Sequence, residues 1–232
     1  KKNEIKPWRV AEWVIPEASA EFVCAMEDVL EVYARPYDEK HPVVCFDESP
    51  KQLVSEVRLP YFDEKGVKHE DYEYKREGSV DIFMITEPLG GRREVFVEQD
   101  HKGTKWALTM GYIAEQMLPN ADKTTVIMDN LSAHKKYNLY KVYEPQRARA
   151  IIDKLEFVFT PKHGSWLNIA ECELSVLSRQ ALNQRFATKE ELYLQIQAWT
   201  QNRNNKQKGV DWQFRTADAR IKLKKLYPTV LI

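Results

Sequence analysis

Two short apolar runs, each closed by an aspartate, constrain this chain more than any other feature. Pro42-Val43-Val44-Cys45-Phe46 stops at Asp47, and Thr124-Thr125-Val126-Ile127-Met128 stops at Asp129. Brief, unbroken apolar runs with polar ends read as buried strands, so the chain must build a sheet. An acid just past a strand is more often a turn or cap residue than a ligand. A third acid stands further along the chain. Glu171 follows His163-Gly164-Ser165-Trp166-Leu167-Asn168-Ile169-Ala170, which looks like the start of a helix. Three carboxylates brought together this way would form an oxygen-rich site for hard divalent cations. Two such ions, about 3.5–4 Å apart, serve phosphodiester chemistry.

The remaining elements follow from period and punctuation. Residues 17–34 carry a helical stripe of Phe22, Ala25, Met26, Val29, Leu30 and Tyr33, which Pro36 ends. Residues 50–78 are charged and tyrosine-rich without clear period, an excursion between the first two strands. Val80–Ile85 and Arg93–Glu98 read as strands joined at Leu89-Gly90-Gly91, giving an antiparallel meander with the first. A helix over Thr104–Met117 leads into the strand before Asp129, a basic amphipathic helix spans Glu144–Leu155, and Phe157–Thr160 is a fifth strand. Ser165 is the expected cap of the helix bearing Glu171, whose buried face would be Ala170, Leu174, Leu177 and Ala181. Thr188-Lys189-Glu190-Glu191 is a capping box opening a helix to about Asn202, and Thr216–Leu226 closes the chain as a basic helix.

At 232 residues one domain is the default. Lys+Arg and Asp+Glu both total 35, which argues against a simple basic nucleic-acid coat. The balance hides an asymmetry. Residues 1–130 hold 17 basic and 26 acidic side chains, and residues 131–232 hold 18 and 9. Basic side chains therefore collect in the second half, where they could grip phosphates or simply coat helix faces. Cys24, Cys45 and Cys172 support neither a zinc site nor a disulfide framework; Cys45 and Cys172 read as small buried thiols. No membrane-spanning run or signal peptide is visible. The chain opens on Lys1 rather than Met, as a fragment or processed chain would.

The words Phe-Asp-Glu-Ser, Met-Asp-Asn-Leu-Ser-Ala-His and Ser-Trp-Leu-Asn-Ile-Ala-Glu occur in that order. With them the chain, over about residues 1–205, resembles the DDE transposases, within them the bacterial insertion-sequence branch of the mariner superfamily. The last two words are specific; the first is weak alone. The resemblance implies a ribonuclease-H-like α/β fold, a mixed five-stranded sheet flanked by helices. Asp47, Asp129 and Glu171 match the catalytic triad, the last through Leu167-Asn168-Ile169-Ala170-Glu171. Glu173 is the near miss, about 200° round the helix. A spacer of 41 residues separates Asp129 from Glu171, longer than in many relatives, and an extended connection over Asn138–Glu144 would account for the excess.

On that resemblance residues 1–16 are a linker from an upstream DNA-binding module, 17–205 the catalytic domain and 206–232 a basic helical extension. The triad would hold two Mg²⁺ ions, with Mn²⁺ as substitute, and would cleave transposon ends and join them to target DNA. A homodimer is left open, and the setting would be cytoplasmic, at the bacterial nucleoid. Lys162, His163, Arg147, Arg149 and Arg179 are candidate DNA contacts. His134 and Asn168 are candidate supports behind the carboxylates; the plainer reading of His134 is a loop histidine. Trp166 reads as a core anchor, and Glu48 should face away from Asp47. Three alternatives stay open: a catalytically silent assembly domain, a nuclease that cuts without joining, and a metal-free glycosidase using two carboxylates.

Overall fold

The structure, a computed structural model, describes residues 19–229; the linker expected over 1–16, with Trp8 and Trp13, lies outside them. Helix α1 (Ala20–Ala34) begins where the Ser19 hydroxyl accepts the Phe22 N–H. Strand β1 (Val43–Glu56) follows and does not stop at Asp47: it runs nine residues further. Two small strands, β2 (Tyr61–Phe62) and β3 (Lys68–His69), precede β4 (Tyr74–Glu87) and β5 (Arg92–Glu98). The expected excursion over 50–78 is thus mostly a long β1–β4 hairpin. Its polar, two-sided arms lack the alternation that marks a strand over a core. A bulge between Leu53 and Val54 interrupts its register opposite Gly78, whose φ of 108° suits glycine.

Helix α2 (Gly103–Tyr112) ends in a π turn over Ile113–Met117, so the single helix expected over Thr104–Met117 has two parts. Strand β6 (Thr124–Met128), a 3-10 helix over Lys136–Lys141, helix α3 (Pro145–Lys154) and strand β7 (Leu155–Phe159) come next. The 3-10 helix fills most of the connection expected to be extended. Pro145 suits the first position of α3, where no N–H is needed. Helices α4 (Ile169–Ala181), α5 (Lys189–Asn205) and α6 (Thr216–Lys222) complete the chain, α5 reaching three residues past its expected end.

The sheet order is β5-β4-β1-β6-β7. β1, β4 and β5 pair antiparallel; β1–β6 and β6–β7 pair parallel. Alternation along the strands feeds two cores. Val44, Phe46, Phe83, Ile85, Val126 and Met128 meet α2 and α3 on one face. Cys45, Ile82, Met84, Val95, Val97 and Ile127 meet α1, α4, α5 and α6 on the other. The segment after α5 joins this second core through Val210, Trp212, Phe214 and Leu226.

One buried ion cluster fastens α4 to the sheet. The Arg93 guanidinium on β5 donates two hydrogen bonds to Glu173 (2.6 and 2.8 Å), and Arg203 on α5 donates two more (2.8 and 3.0 Å). Burial alone would raise the Glu173 carboxyl; the two arginines prevail and hold it below the usual range. Glu173→Ala leaves the fully buried Arg93 unpaired and should lower unfolding free energy by about 3–5 kcal/mol. Urea denaturation checks this; Glu171→Ala, which strips no partner, should lose far less.

Candidate active site

β1, β6 and α4 each deliver one acid to a shared cleft of about 400 Å³. Asp47 stands in mid-β1 opposite Met84 of β4, Asp129 follows the last residue of β6, and Glu171 sits in the first turn of α4. All three line the cleft, with Thr160, Ser165 and Asn168. Glu171 faces it while Glu173, two residues on, points into the core, as 200° of helical rotation requires.

Asn168 sets the approach of α4. Its side-chain oxygen accepts the Ala170 N–H (3.1 Å), so it, and not Ser165, is the helix cap. Its side-chain amide donates to the Phe46 carbonyl (2.9 Å), next to Asp47. One buried side chain therefore ties the Glu171 helix to the Asp47 strand. Tyr33 of α1 adds a second tie: its hydroxyl donates to the Leu167 carbonyl (2.8 Å) and accepts the Ile169 N–H (3.3 Å). With these bonds made, the start of α4 is buried and capped rather than open to a phosphate.

His134 is enclosed behind the acids. Its ring lies between Trp106 and Phe46, at centroid distances of 5.9 and 5.5 Å. Nδ1 is 3.0 Å from the Asp129 carbonyl and 2.8 Å from its Oδ1, and Nε2 is 3.2 Å from Glu48 Oε1. Burial works against a charged ring, but the contacts to Asp129 and Glu48 outweigh it and raise the pKa to about 10. Glu48, expected to face away from Asp47, reaches His134 and also lines the cleft. Asp47 itself is pushed up to about 7, first by burial and then by the charges of Glu48, Asp129 and Glu171, against the pull of the Glu48 N–H.

The donor set suits a hard cation: every candidate ligand atom is a carboxylate oxygen, and Glu171 Oε2 is buried without a hydrogen-bond partner. Among the described residues, however, no three His, Cys, Asp or Glu side chains stand in a ready-made ligating cluster. The three carboxylates nevertheless face one cleft.

The other predicted contacts divide. Lys162 and His163 line a second cleft of about 850 Å³ that shares Asp129, Thr160 and Ser165 with the first. His163 adopts φ 63°, a left-handed turn, and a side chain at Gly164 would collide with Pro161. Arg147 and Arg149 lie on α3, away from the carboxylates, bonded to Glu115 and Asp153. Arg179 is exposed in the last turn of α4 and does not line the cleft. Trp166 is 40% exposed, edge-on to Phe214, and not a core anchor. Cys172 is exposed and only Cys45 is the expected buried thiol.

A mixed five-stranded sheet with acids on its central strands and on the helix packed against them is the ribonuclease-H-like arrangement. Residues 42–193, two thirds of the chain with all three acids, match the family model described as DDE superfamily endonuclease, and the chain belongs to that family. Against curated protein sequences nothing matches. Similar solved structures include the Mos1 mariner paired-end complex with Mn (16% identity, TM-score 0.54, 86% of this chain and 60% of that one). Another is the paired-end complex with Mg (14%, 0.58, 98% and 68%), and a third the Mos1 strand transfer complex (15%, 0.53, 86% and 59%). At these identities the likeness is one of fold, and this chain spans about three fifths of the first of those chains. No helix among the described residues is long and apolar enough to cross a membrane.

The raised Asp47 pKa has a measurable sign. Folded protein binds this proton more tightly than unfolded chain between about pH 4 and 7. Stability from the protonated group is therefore full below about pH 4 and lost as pH rises through about 7. In EDTA, the stability of wild type relative to Asp47→Asn should fall over that window and then level off. A flat difference, read by denaturant titration at each pH, would show that Asp47 titrates normally.

Proposed function

We propose that this chain is the catalytic domain of a transposase that nicks DNA at transposon ends and joins the freed 3′ ends to target DNA. The observation that carries this reading is the family match enclosing Asp47, Asp129 and Glu171, which the fold turns towards one cleft. Those three carboxylates would hold a pair of Mg²⁺ or Mn²⁺ ions. Such ions, when bound, lower the pKa of the attacking water or hydroxyl and stabilise the leaving oxygen.

The protein's own part is placement and charge. Asp47, on the central strand β1, is the natural shared ligand. Asn168 fixes the spacing between its strand and the Glu171 helix. His134, protonated, offsets the charge of Asp129 and Glu48 and keeps Asp129 aimed. Lys162 and His163 extend the cleft with phosphate-binding groups, and the basic excess of residues 131–232 favours a polyanion. Arg147 and Arg149, committed to carboxylates on another face, are assigned no part in this site. Retention of all three acids argues against a silent domain.

The family description, endonuclease, keeps one second reading in play: cutting without joining. Incubation with a pre-cut transposon end and a supercoiled target separates the two, since only a transposase yields joined product. Asp47→Ala, Asp129→Ala and Glu171→Ala should each reduce Mn²⁺-dependent strand cleavage by about a hundredfold or more, because each removes charge stabilisation at the transition state. The exposed control Glu190→Ala should cut like wild type. Wild-type cleavage by Asp129→Ala would sink the metal-pair mechanism.

A further inference from the structure

Another cleft, of about 560 Å³, lies beside edge strand β7, away from the carboxylates. Tyr137 and Tyr140 line it from the 3-10 helix over Lys136–Lys141. Three residues make one 3-10 turn, so side chains three apart stand on the same face. The two residues are 56% and 47% exposed. Lys141 sits over one face of Tyr137, with Nζ 4.8 Å from the ring centre.

Cations surround the rings. Lys136 lies 5.4 Å from the Phe157 ring and Lys135 5.9 Å from the Phe159 ring. Phe157 and Phe159 are two apart on β7 and share a face of the strand. The lysines therefore step along the sheet edge towards Thr160, which lines the carboxylate cleft. Acids in this second cleft are already engaged: Asp153 by Arg149 at 2.8 Å, and Glu156 by the Thr125 hydroxyl at 2.7 Å and Arg35 at 3.5 Å. Lys136 and Lys141 make no ion pair among the described residues, and Lys123 meets Glu156 only through its field. A solvated basic face would explain the lysines. It would not explain two exposed tyrosines on one face of the turn among them.

We propose that this cleft binds unpaired nucleotides of a DNA strand, with Tyr137 and Tyr140 stacking on bases while Lys123 and Lys136 meet phosphates. Aromatic platforms beside cations bind single strands whatever their sequence, because every base has a π face. Bases inside a duplex are already stacked and cannot use them. The proposal rests on the DNA-processing reading above, and places along β7 the strand that is unpaired next to the carboxylates.

The test is fluorescence anisotropy with the whole chain in EDTA, where no cutting occurs, using labelled oligo-dT and a blunt duplex as probes. Tyr137→Ala/Tyr140→Ala should weaken oligo-dT binding about tenfold or more and leave duplex binding unchanged. Tyr137→Phe/Tyr140→Phe, which keeps the rings, should bind as wild type does. Lys123→Gln/Lys136→Gln should flatten the salt dependence. Thermal melts matching wild type establish that each variant folds. Unchanged oligo-dT affinity in the alanine variant would overturn the proposal. So would equal loss on duplex, or displacement of oligo-dT by an acidic peptide equally in wild type and alanine variant. The outcome is separable from the transposase reading. A chain that binds strands through these tyrosines yet cuts nothing upholds the cleft and refutes the chemistry, and the reverse result does the opposite.

Discussion

The carboxylate of Glu173, buried between Arg93 and Arg203, is the contact on which the site's geometry depends. An apolar helix face of Ala170, Leu177 and Ala181 can settle on a sheet at several rotations, since hydrophobic contact has little direction. An ion cluster with one partner on β5 and another on α5 admits one rotation. Bringing charges out of water is costly, and such clusters add little net stability compared with an apolar replacement. Here the return is orientation: with Glu173 held inward, Glu171 has to face the cleft. Arg93 extends the same control, donating to the Gly91 and Lys208 carbonyls. The segment after α5 is thereby drawn into the support of the site.

Much of this was legible in the sequence, for identifiable reasons. Strands β6 and β7 and helices α1, α3 and α5 emerged because period, proline and caps agree there. The carboxylates were legible because each stands within a recognisable word. Strand β1 was read too short because its far half is polar on both faces. Ser165 was preferred to Asn168 as a cap because a 3-10 turn that sequence does not announce lies between them. The Glu173 cluster was missed although a signal existed: Arg93, Val95 and Val97 alternate as the inward side of β5, and an arginine there needs a buried acid.

The acids of the cleft are less uniformly negative than their number suggests. Four of them, Asp47, Glu48, Asp129 and Glu171, line one hollow. His134 answers two from behind, and its aromatic enclosure keeps water from competing for its ring. The cleft thus has a neutralised back and an open, anionic front. A cation arriving from solvent meets the front, and the protein needs no cation to keep the back intact.

Parallel pairing sets when this site can exist during folding. The β4–β5 hairpin closes locally, but β1 meets β6 only by joining Val43 to Thr125. Glu171 then waits on α4, placed by residues from α1, β5 and α5. Contacts so distant along the chain form late and slowly, because loop closure must precede them. A nascent chain released before α5 has emerged would own all three acids and still hold no cleft. The order of synthesis thus puts the acids in the chain before the scaffold that gathers them.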